Sequence, residues 1–105
     1  MTSSRRRLPN RRRSEVFDIE AMGLKFTISA SRDAAGNLLE VFADNHKAGS
    51  AVGTLVRDAA IILSFALQHG ADPEAIRRAL CRDSNGRAQG PIGVALDILS
   101  REGER

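Results

Sequence analysis

The sequence predicts an α+β domain, a three-stranded antiparallel meander followed by three helices packed on one face of the sheet. Three observations carry this. Apolar residues alternate with a period of two from Phe17 to Phe42, then recur at three- and four-residue steps from Val52 to Leu99. Turn residues interrupt the first stretch at Gly23 and at Asp33-Ala34-Ala35-Gly36-Asn37, leaving connections short enough for hairpins. Strands first and helices afterwards is the order of an α+β domain whose helices cover one sheet face.

The first strand pattern sets Phe17 and Ile19 against Asp18 and Glu20. The second sets Phe26, Ile28 and Ala30 against Lys25, Thr27 and Ser29, and the third sets Leu39 and Val41 against Glu40 and Phe42. After Asn45-His46-Lys47-Ala48-Gly49 the period becomes helical, with Ser50 or Thr54 as the cap. Val52, Leu55, Val56, Ala59, Ile62, Leu63, Ala66 and Leu67 are expected to form one apolar face, ending at His69-Gly70. Gly70 suits the left-handed position after a helix. Asp72-Pro73-Glu74 opens a second helix with a capping side chain, a first-turn proline and an acid that complements the dipole. Its inner face is Ile76, Ala79 and Leu80, with Arg77, Arg78 and Arg82 directed outward. A polar loop, Asp83 to Gly90, leads to Pro91 and a third helix with Ile92, Ala95, Leu96 and Leu99 on one face.

The charge is unevenly distributed. The net charge is +3, yet residues 1–13 hold six Arg and no acid, and the remaining 92 residues hold ten Lys or Arg against thirteen Asp or Glu, a net of −3. Residues 1–13 therefore read as a disordered arginine-rich arm and 14–105 as the folded domain with a frayed C-terminal tail. A chain of 105 residues buries roughly 60–70% of its unfolded surface, enough for one aliphatic core. With four Phe, no Trp and no Tyr, stacking platforms for bases are scarce. No uninterrupted apolar run reaches the ~18 residues of a membrane helix, and no apolar stretch follows the basic start as in a secretory signal. A cytoplasmic, bacterial-type location without membrane contact is expected. The lone Cys81 excludes an internal disulfide and a cysteine-based zinc cage, and is expected to be a buried or half-buried thiol.

The second half resembles the TSCPD domain. The resemblance runs through Lys47-Ala48-Gly49-Ser50, Ile62-Leu63-Ser64-Phe65-Ala66-Leu67-Gln68-His69-Gly70, Pro73-Glu74-Ala75-Ile76-Arg77-Arg78-Ala79-Leu80 and Gly90-Pro91-Ile92-Gly93-Val94-Ala95-Leu96-Asp97-Ile98-Leu99. With the less specific strands it covers about residues 14–100. That domain occurs as the C-terminal appendage of adenosylcobalamin-dependent ribonucleotide reductases and as small stand-alone proteins. The name-giving run of Thr, Ser, Cys, Pro and Asp falls on Ala88-Gln89-Gly90-Pro91-Ile92, where only the proline is kept. Gly90 stands at the cysteine position, so no metal or redox role carries over. The resemblance implies an accessory module. Reductase activity is not expected, because it requires a large barrel, radical-forming cofactor chemistry and several redox cysteines.

The candidate polyanion site is the arm, Arg5, Arg6, Arg7, Arg11, Arg12 and Arg13, whose two triplets lie about 20 Å apart when extended. Arginine forks bind phosphates without reading sequence, so nucleic acid or another polyanion is the expected partner. Two loops before helices are candidate anion sites. One offers Lys47, Gly49 and Ser50, and the other is flanked by Arg82 and Arg87. In each case an ordinary capped turn is the competing reading. The first lacks the Gly-Lys-Ser/Thr of a phosphate-binding P-loop. His46 and His69 have no metal-ligand spacing, and no nucleophile-elbow sequence is present, so neither catalytic residues nor a cofactor is expected. Three functions follow: a non-catalytic accessory module with a protein partner linked to nucleotide metabolism, a protein acting on a phosphorylated small molecule at Lys47–Ser50, and a homo-oligomeric structural protein.

Overall fold

The computed structural model describes residues 13–47 and 49–103. Three strands, β1 (Arg13–Ala21), β2 (Leu24–Arg32) and β3 (Leu38–Asn45), precede three helices, α1 (Ala51–Gln68), α2 (Pro73–Ala79) and α3 (Pro91–Gly103). The strands form one antiparallel sheet in the order β1-β2-β3, the α+β meander expected from the alternation. β1 opens at Arg13, paired with Arg32, one residue before the expected boundary. The other arm positions, including Arg5, Arg6, Arg7, Arg11 and Arg12, lie outside the described residues.

The period-two pattern sorts the sheet faces. Phe17, Ile28 and Ala43 stand in register on the inner face, and Val16, Ser29 and Phe42 on the outer one. The first hairpin closes on Met22 and Gly23, both with positive φ (56° and 72°), the backbone twist a two-residue hairpin requires. Phe26, Ile28, Val41, Leu96 and Leu99 are all at most 2% exposed and form the centre of the core with Leu63 and Leu67.

α1 lies along β3 and α3 approaches β1. Ser50 caps α1, its Oγ accepting from the Gly53 N–H at 2.9 Å. The expected single apolar face of α1 is two faces. Val56, Ala60, Leu63 and Leu67 are buried, whereas Leu55, Ala59 and Ile62 are exposed. Apolar residues spread round more of the helix than one strand layer can cover, so the stripe nearest β3 is buried and the rest faces out. Two polar residues share the buried stripe. The Ser64 hydroxyl donates to the Val41 carbonyl and accepts from the Val41 N–H, both at 2.9 Å, and Gln68 Nε2 donates to the Leu39 carbonyl at 3.0 Å. They occupy backbone groups along the edge strand β3, which would otherwise be open to pairing. By length and composition α1 could cross a bilayer, at mean hydropathy 1.4 over 18 residues. In this fold it is instead the helix that covers the sheet.

Cys81 is exposed, not buried or half-buried, because α2 ends at Ala79 and the chain is already leaving the core. α2 buries no residue completely. It starts as expected, with the Asp72 carboxylate accepting from the Glu74 N–H at 3.0 Å and Pro73 in the first turn.

Candidate functional site

Asn45, the last residue of β3, organises the Lys47–Ser50 loop. Its Nδ2 donates to the Lys25 carbonyl, and its Oδ1 accepts from the Lys47 N–H at 3.0 Å and from the Ser50 hydroxyl at 3.2 Å. Gly49 provides the left-handed turn, at φ 75°. Ser50 Oγ thus gives its proton to Asn45 and receives the Gly53 N–H. The Lys47 N–H and the Ser50 hydroxyl are thus engaged in closing the turn and capping α1, and the Lys47 side chain stays exposed.

The second candidate loop repeats a design found elsewhere in the chain. Arg32-Asp33-x-x-Gly36 and Arg82-Asp83-x-x-Gly86 close five-residue turns with the same hydrogen bonds. Asp33 and Asp83 each accept through Oδ1 from the N–H groups two and four residues on. The preceding arginine reaches back to the glycine carbonyl, Arg32 Nη1 to Gly36 at 3.1 Å and Arg82 Nη1 to Gly86 at 3.0 Å. Each arginine then ties its turn to α3. Arg32 Nη2 donates to the Leu99 carbonyl at 2.8 Å, and Arg82 donates to both oxygens of Asp97, at 2.8 and 3.1 Å. Arg82 is therefore a structural clamp. Arg87 remains exposed, its backbone N–H held by Asp83.

Arg77 meets the same carboxylate, its Nη1 donating to Asp97 at 3.1 Å and its Nη2 to Glu74 at 2.7 Å. Arg77 and Arg82 thus turn toward α3 rather than outward as expected, because Asp97 lies half-buried between them. Ser100 donates to Glu74 at 2.6 Å. These contacts hold the carboxyl of Asp97 below its ordinary range, chiefly through Arg82, and that of Glu74 below its own, chiefly through Arg77. Both guanidinium groups are pushed up in return.

A cavity of about 500 Å³ opens beside this cluster, between the β2–β3 turn, the α1–α2 connection and α3. Leu38, Leu67, Leu96 and Leu99 form its apolar wall, and Arg32, Glu74, Arg77 and Ser100 its polar rim. Lys47, Arg82 and Arg87 do not line it, so it does not join the two candidate anion loops. Its charged rim is already paired within the protein.

The outer sheet face carries a hydroxyl–imidazole–carboxylate group that no spacing in the sequence announces. Thr27 Oγ1 donates to Asp18 at 2.8 Å and lies 2.8 Å from His46 Nε2, which is 3.6 Å from Asp18. The wiring is not that of a catalytic triad, where the imidazole takes the hydroxyl proton and the carboxylate holds its other nitrogen. Here the hydroxyl proton goes to the carboxylate, and one imidazole nitrogen faces both groups. Among the described residues no cluster of three or more His, Cys, Asp or Glu is placed to hold a metal ion.

Against known protein families, residues 2–100 match the TSCPD domain. The chain belongs to the TSCPD domain family. The match spans nearly the whole chain and takes in the arginine-rich segment as well as the folded elements. Membership supports an accessory-type module associated with ribonucleotide reductases. No curated protein and no solved structure matches the chain.

Proposed function

We propose that this TSCPD protein is a non-catalytic accessory module that binds nucleic acid through Arg5, Arg6, Arg7, Arg11, Arg12 and Arg13, in the cytoplasm and beside a protein partner of nucleotide metabolism. The observation that supports this reading is how the body uses its own arginines. Arg32 pairs with Glu15, Arg57 with Asp44, Arg77 with Glu74 and Asp97, Arg78 with Glu74, and Arg82 with Asp97. Residues 14–105 carry a net charge of −3, whereas 1–13 carry six arginines without an acid. The positive charge free to meet phosphates is therefore concentrated in residues 5–13, and phosphate contacts of this kind carry affinity without sequence preference.

The test is fluorescence anisotropy with labelled single- and double-stranded DNA and RNA over a salt series. Each arginine that neutralises a duplex phosphate contributes roughly −0.9 to the log–log slope. The variant with all six arginines changed to Gln is expected to keep its fold and lose most of the binding and the slope. Absence of binding at low salt, or an unchanged slope in the variant, refutes the reading.

A further inference from the structure

The outward face of α1 is apolar in a helix whose inward face already supplies the core. Leu55 is 67% exposed, Ile62 69%, Phe65 46% and Ile61 44%. Ala51, Leu55, Asp58, Ile62, Phe65 and His69 follow one another at alternating four- and three-residue steps, the spacing of a helix–helix seam. Exposed fractions of this size, on side chains of about 150–250 Å², leave on the order of 400 Å² of apolar surface. That is at the size where an exposed patch marks an interaction site. It is also about half of the roughly 800 Å² that each partner contributes to a standard interface, which matches the apolar share of such interfaces.

Two polar groups lie in the seam, a carboxylate and an imidazole. Asp58 is exposed and has no ion-pair or hydrogen-bond partner among the described residues. His69 Nδ1 lies 2.8 Å from the Phe65 carbonyl. A carbonyl only accepts, so Nδ1 carries the hydrogen and Nε2 is left without a partner among the described residues. Arg57, the other charged residue of α1, is turned aside to Asp44 at 3.6 Å.

We propose that the outward face of α1 binds the same face of a second copy of this chain, with the two helices antiparallel about a two-fold axis. In the register that sets Asp58 of one copy against His69 of the other, Ile62 falls opposite Phe65. The axis repeats each contact, giving two apolar pairs at the centre and one polar pair at each end. Ala59 and Ala66 flank the seam and let the helices approach closely. A membrane surface suits this face less well, because Asp58 sits in the middle of the apolar stripe and the flanks lack the lysines and arginines that rim a membrane-surface helix.

The test is sedimentation equilibrium of the full chain, with circular dichroism of each variant. The wild-type protein is expected to be a dimer, and Ile62→Glu, at a solvent-facing position, a monomer with unchanged secondary structure. His69→Asp sets its carboxylate opposite that of Asp58 and is expected to raise the dimer dissociation constant about tenfold; the double variant adds Asp58→Arg to it. The double variant restores an opposite-charge pair and is expected to recover most of that loss. Rescue of this kind identifies the second copy, because a different partner would not compensate. A wild-type monomer at about 100 μM overturns the proposal. So does a charge-swap pair that fails to rescue, or a monomer that sediments with anionic vesicles through Ile62.

Discussion

Replacing Ser64 with Ala removes one oxygen from the core and little volume. Ser64 is 4% exposed and Val41 is 0% exposed, so water has no ready route to the groups left behind. The hydroxyl serves both backbone groups of Val41, as donor to its carbonyl and acceptor from its N–H. An orphaned buried polar group costs about 1–3 kcal/mol. With two groups orphaned, and the desolvation of the hydroxyl itself recovered, the net expected loss is about 2–4 kcal/mol. For a domain of this size each kcal/mol moves the melting temperature by roughly 4–8 °C, so the variant should melt at least about 8 °C lower. Urea denaturation with an unchanged m-value measures the free energy, and amide hydrogen exchange reports whether Val41 has lost its protection. A loss below about 1 kcal/mol with Val41 still protected would refute the reasoning, because it would mean that β3 does not depend on α1 to occupy its edge.

Asp97 and Glu74 both titrate below their ordinary values in the folded state, so the stabilisation they carry is present above the unfolded carboxylate pKa and is lost as pH falls through the folded values. Thermal stability should therefore decline on acidification below about pH 4, and Asp97→Asn should flatten that decline, as scanning calorimetry across a pH series would show. At neutral pH the same substitution should cost about 1–2 kcal/mol by weakening the bonds to Arg77 and Arg82, measured by urea melts. Met22 holds a left-handed conformation at φ 56° in the first hairpin, so Met22→Asn should stabilise by about 0.5–1 kcal/mol, read from the melting temperature. The protein should carry no stoichiometric zinc or iron after dialysis. Elemental analysis finding metal that is lost in Cys81→Ser would contradict this.

The sheet and its turns were readable because each follows from local chemistry. Alternation fixes which residues face inward, and glycines at Gly23 and Gly36 mark where the chain turns. Ser50, Asp72 and Pro73 are equally local, and all three cap or open helices as their types dictate. What the sequence did not show depends on contacts between distant segments. Ser64 and Gln68 look like interruptions of an apolar helix until β3 is placed beside them. Arg77 and Arg82 look like surface charges until Asp97, on another helix, comes between them. The paired Arg-Asp-x-x-Gly turns are visible as a spacing in the sequence, but their use as clamps on α3 depends on the tertiary arrangement. The Lys47–Ser50 loop illustrates the same point for the candidate site. Its composition suits an anion, yet Asn45 and Gly53 already use the hydroxyl that would have met one.

The split of α1 into two apolar faces bears most directly on function. An 18-residue helix with one buried stripe needs apolar residues at only three or four positions in each two turns. Here Val56, Ala60, Leu63 and Leu67 already fill that stripe, so Leu55, Ile62 and Phe65 add nothing to the packing of α1 on β3. Leaving them in water confers no stability on the monomer, and burying Ile62 and Phe65 against a second copy of the helix does. Arg32, Arg57, Arg77, Arg78 and Arg82 are by contrast engaged in ion pairs. The exposed apolar helix face and the arginine-rich sequence of residues 5–13 are the features on which the two proposed associations rest. Association by helix face and association by basic segment also respond oppositely to salt. Contacts with phosphates weaken steeply as salt rises, while apolar helix pairing holds or strengthens. Measuring self-association and nucleic-acid binding over one salt series therefore separates the two surfaces without any mutation. Loss of both in parallel would show that a single charged surface carries them.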